Sequence, residues 1–361
     1  MKRTLSIFTL VLAGAWLASP QTDEDRRRIP EFQDQLRRGE PVYTEYRAYM
    51  AQFNQRERVE YPKTHPSRES TGMIPLTDLG KGTYRGEQGG LYPGGENVPP
   101  ATHEKAGMRL ARSIRPLDAE GRPSRDGKVV MISIGMSNAE GESDAFLKRL
   151  KTESGINPKF IFVNCAESGQ IAIFTSRADT DYWPAAEKLL AAAGITPQQV
   201  QVAWVLQANA APLAPFPVDT KKLQSDLANT VRVMHAKYPN LKIVYLSSRI
   251  YAGYATFPLN PEPYAYESGF AVKWLIADQI AGHPDLNYDS ARGRVEAPWL
   301  AWGPYLWADG LKARSDGLTY SRADVGLDGT HPTEQGAAKV AGLLLDFLRK
   351  DATARGWFAA R

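Results

Sequence analysis

From Lys128 to the carboxyl end, short apolar runs rich in β-branched residues alternate with amphipathic stretches of ten or more residues. That alternation restricts the chain to a mostly parallel α/β sheet with helices on both faces, because parallel neighbours need a long crossover and the crossovers cover the sheet. The pattern predicts strands over 129–134, 160–165, 200–206 and 241–247. It predicts helices over 144–153, 182–193, 220–238, 269–281 and 336–348. In the last helix Val340, Leu343, Leu344 and Phe347 fall at helical spacing and mark a core face.

The preceding hundred residues read differently. Residues 20–125 form a Gly/Pro-rich N-terminal extension, irregular apart from one helix expected over 45–58, and are expected to wrap the domain at 126–361. Tyr84, Tyr92 and His103 in this extension either pack as ordinary covering residues or reach the rim of a site. Met1-Lys2-Arg3 followed by an apolar stretch to Leu17 has the layout of a secretory signal peptide over 1–19, with a mature start expected between Trp16 and Gln21. A secreted or periplasmic protein follows, with no membrane span in the mature chain.

Composition removes several function classes. A net charge of +4 spread over 361 residues is no footprint for nucleic acid, and Arg26-Arg27-Arg28 directly follows Asp23-Glu24-Asp25 and reads as solvated. A single cysteine excludes an intrachain disulfide, and Cys165, inside an apolar run, is expected to pack rather than react. The five histidines are scattered without metal-ligand spacing, and no phosphate-cradling loop is present, so neither metal nor cofactor is expected.

In a parallel sheet, ligands bind beyond the carboxyl ends of the strands. The first strand delivers Gly135-Met136-Ser137-Asn138 to that edge, the second Ala166-Glu167-Ser168-Gly169, and the third Gln207-Ala208-Asn209. Near the chain's end stands Asp328-Gly329-Thr330-His331. A serine hydroxyl is a weak nucleophile until an imidazole takes its proton, and a carboxylate fixes that imidazole's tautomer. Ser137, His331 and Asp328 supply those three parts. The Ser137 N–H, the Gly169 N–H and the Asn209 side-chain amide supply candidate oxyanion donors, each contributing on the order of 3 kcal/mol to lowering a barrier.

Each residue taken singly also has an ordinary reading. Ser137 with Glu140 fits a capping box, Asn209 a turn after a strand, and Asp328-Gly329 a turn dipeptide. Order and context favour the chemical reading. An α/β-hydrolase elbow fits less well, since Ala139 replaces its final glycine.

With these motifs the chain resembles the SGNH (GDSL-like) hydrolase superfamily over residues 128–361. Ser137, Gly169, Asn209 and Asp328 with His331 stand where its four signature blocks carry serine, glycine, asparagine and Asp-x-x-His. The usual Gly-Asp-Ser is here Gly135-Met136-Ser137, and the usual Gly-x-Asn-Asp is Gln207-Ala208-Asn209-Ala210. That form is most similar to the carbohydrate and sialate O-acetylesterase branch. The resemblance implies a flavodoxin-like three-layer α/β/α sandwich and a serine esterase cleaving a short acyl, in the first place acetyl, ester of a small molecule or polysaccharide. Acyl transfer to another hydroxyl, or a catalytically silent carbohydrate-binding protein of the same fold, are the alternatives. Trp299, Trp302, Tyr305 and Trp307, with Tyr251, Tyr254, Tyr264 and Tyr266, offer either a sugar-stacking platform or core packing. Arg249, just past the fourth strand, meets either an acidic substituent or a surface carboxylate.

Overall fold

The computed structural model describes residues 20–360; the expected signal peptide, 1–19, lies outside the described residues. The N-terminal segment contains α1 (Pro20–Arg38), α2 (Tyr43–Thr64), α3 (Leu76–Leu79), a two-stranded hairpin of β1 (Thr83–Tyr84) and β2 (Glu87–Gln88), and α4 (Ala101–Arg112). The remainder runs β3 (Val129–Gly135), α5 (Ser137–Leu150), β4 (Phe160–Asn164), α6 (Ala172–Thr175), α7 (Tyr182–Ala192), β5 (Val200–Leu206), α8 (Val218–Lys237), β6 (Ile243–Ser247), α9 (Tyr264–Ala281), β7 (Trp299–Trp302), α10 (Glu334–Lys350) and α11 (Arg355–Phe358).

Five strands form one all-parallel sheet in the order β4-β3-β5-β6-β7. Helix α5 packs against α10, and α8 against α9, giving the expected flavodoxin-like α/β/α sandwich. Strands β3, β5, β6 and β7 are buried along their whole length, which is why they read as unbroken apolar runs rather than alternating ones. The chain leaves β3 for β4 on one side and returns to β5 on the other, so the sheet's switch point lies beside β3.

Two departures from the sequence reading have physical causes. The edge strand Trp299–Trp302 is expected from sequence only as an aromatic cluster, since four residues are too short to carry a period. Its neighbours are core as well: Trp307 and Tyr251 are fully buried, and Tyr254, Tyr264, Tyr266 and Tyr305 nearly so, so packing and not a sugar platform accounts for this cluster. The N-terminal segment, read with one helix, has three long ones. Helix α1 buries Ile29, Phe32 and Leu36 against Tyr46, Met50 and Phe53 of α2, spacings of three and four that the surrounding charges conceal. Arg26 and Arg27 are solvated as expected, but on the outer face of α1. The stretch between α2 and α4 is irregular, as its glycines and prolines indicate. Tyr92 and His103 are buried covering residues: the Tyr92 hydroxyl accepts from Trp302 N–H, and His103 donates from Nε2 to the Leu300 carbonyl while its ring stacks on Trp299.

Gly135 ends β3 where the backbone passes closest to its neighbours. A Cβ there would stand 2.3 Å from the Ala139 Cβ and 2.4 Å from the Leu206 carbonyl oxygen. Gly135→Ala is expected to destabilise the protein by about 1–3 kcal/mol through overpacking, measured as a lowered urea midpoint at unchanged m-value. An unchanged midpoint would mean that α5 swings away freely.

Candidate active site

Ser137 is the first helical residue of α5, with Met136 in extended backbone before it. Its hydroxyl does not cap the helix. It lies 2.7 Å from Nε2 of His331. The His331 Nδ1 lies 2.5 Å from Oδ2 of Asp328, and Asp328 Oδ1 accepts 3.0 Å hydrogen bonds from the backbone N–H groups of Thr330 and His331. Three acceptor contacts on one carboxylate explain the Asp-x-x-His spacing, since the carboxylate folds its own turn and holds the ring at its end. The tight turn needs Gly329, whose φ is +68° and whose Cβ would fall 1.7 Å from the Tyr254 carbonyl oxygen. Asn138, next to the serine, donates to the Thr330 carbonyl at 3.0 Å and ties the two segments together.

Burial works against the charged form of Asp328, but the His331 side chain and the two N–H groups outweigh it and hold the carboxyl well below the usual range. With Asp328 ionised, Nδ1 of His331 carries the proton and Nε2 is free to accept from the serine. The His331 side chain is 36 % exposed, so the relay opens to water.

Gly169 and Asn209 stand at the same sheet edge as Ser137. Glu167 N–H donates to the Gly135 carbonyl at 3.1 Å, which sets the loop carrying Gly169 beside the end of β3. Gly169 has φ +82°. Asn209 is more constrained than its sequence context suggests. Its Oδ1 accepts from Ile173 N–H at 3.2 Å and its Nδ2 donates to Asp226 Oδ2 at 2.6 Å, which fixes which end of the amide is which. One Nδ2–H is left over. Its carbonyl accepts from Asn260 at 2.5 Å, and two residues on, Ala211 is held at φ +49°, a strained conformation for a residue with a Cβ.

A groove of about 530 Å³ opens beside Gly169 and runs along α2. Tyr43, Arg47 and Asn54 line one wall, Glu167 and Ser168 the other. Neither wall was assigned from sequence, since nothing local in α2 announces which loop it faces. Among the described residues, no group of three His, Cys, Asp or Glu side chains is arranged to hold a metal ion. No described helix is long and apolar enough to cross a membrane. Cys165 is fully buried and burial pushes its thiol up to about 12, in keeping with a packing role.

Arg249 meets neither of its expected partners. It is wholly buried behind the relay, where burial lowers it to about 10 against the pull of the Glu142 carboxylate. Glu142, on α5, is buried too, and burial raises it to about 8.

No family model and no curated protein matches the chain in sequence. Solved structures give loose overlays. A lipopolysaccharide acetyltransferase periplasmic domain from Salmonella Paratyphi A is 13 % identical over 68 % of this chain and 95 % of its own, with a TM-score of 0.34. An Arabidopsis thaliana protein is 13 % identical over 58 % of this chain and 67 % of its own, with a TM-score of 0.32. A Bacillus subtilis protein is 12 % identical over 62 % and 56 %, also at 0.32. Overlays this loose identify neither a family nor an activity.

The Glu142 shift has a sign that can be tested. A carboxyl raised above its unfolded value of about 4.3 contributes stability that is fully present below that pH and is lost as pH rises toward about 8. The urea midpoint of the wild type is expected to fall between pH 5 and pH 8. Glu142→Gln is expected to flatten that fall, and an equal slope in both proteins would contradict the shift.

Proposed function

We propose that this protein is an exported serine esterase of the SGNH type that hydrolyses a short acyl ester, in the first place acetyl, on a carbohydrate. The observation that carries the reading is the unbroken relay from Ser137 Oγ to His331 Nε2 and from His331 Nδ1 to Asp328, at the carboxyl edge of a parallel sheet. In this reading Ser137 Oγ bonds to the ester carbonyl carbon as its proton passes to Nε2. The electron pair displaced onto the carbonyl oxygen is met by the Ser137 and Gly169 N–H groups and by the uncommitted Nδ2–H of Asn209. Collapse breaks the bond to the alcohol, which leaves with the proton from Nε2. A water then gives its proton to Nε2 as its oxygen bonds to the acyl carbon, and collapse breaks the bond to Ser137 Oγ, which takes the proton back from Nε2 as the carboxylic acid leaves.

Water reaches the relay because His331 is partly exposed, which favours hydrolysis over transfer to another hydroxyl. The groove beside Gly169 sets Arg47, Asn54 and Glu167 beside tyrosine rings and apolar side chains such as Met50, Ile171 and Leu259, a lining that can meet both the hydroxyls of a carbohydrate and a short acyl group. Export rests on the leader-like residues 1–19.

Acetate release from an acetylated polysaccharide and from a chromogenic acetate ester tests the proposal. Ser137→Ala and His331→Ala are each expected to lower kcat/KM by roughly a thousandfold or more, and the double variant to lose no more than either, since the groups act as a unit. Additive losses, or turnover that survives Ser137→Ala in the folded protein, would contradict it.

A further inference from the structure

The most deeply tied part of the site leads away from the relay and into the N-terminal segment. The Asp226 side chain on α8 is 1 % exposed and lies against Asn209. An isolated buried carboxylate at that point would be a liability for acyl chemistry. Its charge sits one hydrogen bond behind the amide that must face a developing oxyanion, and in a low-dielectric site like charges repel strongly. The chain answers that charge from α1. Arg37 grips Asp226 with two parallel bonds, Nε to Oδ1 and Nη2 to Oδ2, both 2.9 Å. Its remaining amino group donates to Asp34 at 2.8 Å, on the solvent side. One turn earlier Gln33 donates to the Ala210 carbonyl at 2.8 Å, so α1 seats itself on both sides of Asn209.

We infer that the N-terminal segment completes the oxyanion site, with Arg37 acting through Asp226 as a positioning residue for Asn209. Two effects combine. The Arg37 fork fixes the carboxylate plane, so the 2.6 Å bond to Asn209 aims the second Nδ2–H in one direction. The guanidinium also cancels the carboxylate charge, so that the amide remains a net electropositive donor. Asp226 without Arg37 would orient Asn209 while opposing the charge that Asn209 serves. This inference rests on the esterase reading, since it assigns a helper to that reading's third oxyanion donor.

The test separates the two. Arg37→Gln in the full-length mature protein is expected to lower kcat on a chromogenic acetate ester about 10- to 100-fold, with KM within about threefold, when turnover is expressed per serine titrated to completion with a fluorophosphonate. Adding Asp226→Asn removes the stranded charge while keeping an acceptor for Asn209, and is expected to restore kcat to within about fivefold of wild type. Should Arg37→Gln not fold, Arg37→Lys, which retains the charge but not the fork, is expected to lower kcat per titrated serine about 3- to 30-fold, and an unchanged kcat would overturn the inference. A helix that merely holds the fold together would lower the melting temperature and leave kcat per titrated serine unchanged, which would overturn the inference, as would a double variant no faster than the single one. A wild type without Ser137-dependent turnover would remove the esterase reading and this inference together; turnover equal in wild type and Arg37→Gln would remove this inference alone.

Discussion

Everything at the site depends on the register of a parallel ladder. Five strands running the same way must send all their strand-to-helix connections to one edge, and the pairing of Gly135 with Leu206 and of Ser133 with Asn164 brings the ends of β3, β4 and β5 level there. The serine, the loop of Gly169 and Asn209 are therefore neighbours by construction, although some seventy residues of sequence separate the first from the last. The close approach at Gly135 tightens that arrangement, since the start of α5 presses directly onto β5. His331 arrives from the far end of the chain, held at the correct height by a turn that Asp328 folds around itself.

Charge is the second constraint. The relay uses one ionised carboxylate whose burial is outweighed by donors from its own turn. Behind it lie Glu142 and Arg249, both wholly buried and each shifted toward its neutral form by that burial. To one side lies Asp226, whose charge is met by a residue from a different part of the chain. Three carboxyl groups thus surround a site expected to bear a transient negative charge, and the fold treats each differently: one is committed to an imidazole, one is pushed toward protonation, and one is neutralised by Arg37.

The sandwich was legible because period and composition agree within it: 200–206 is a strand in the sequence reading and in the structure, and helices α7 and α8 begin and end within two residues of expectation. Ser137, His331 and Asp328, singled out from their order in the sequence, lie in one hydrogen-bonded row. What escaped was whatever depends on distant partners. Trp299–Trp302 is too short to declare itself a strand, and α1 hides an apolar stripe among arginines and carboxylates. Asp226 lies mid-helix on the stripe that buries Leu223, Leu227, Thr230 and Met234, but nothing local says which distant groups meet it there, so Asn209 and Arg37 could not be read as its partners. The buried Arg249 and Glu142 escaped for the same reason. Burial of a charge is a property of tertiary packing that no window of sequence contains.

The central claim is that Ser137 becomes acylated during turnover. Mass spectrometry of the protein acid-quenched while hydrolysing an acetate ester tests it most directly. The account predicts an acetyl group on the peptide containing Ser137, absent from the Ser137→Ala protein and longer-lived in the His331→Ala protein once that variant has been acylated with an activated ester. Steady turnover with no acyl adduct, or with the adduct on another residue, would contradict it.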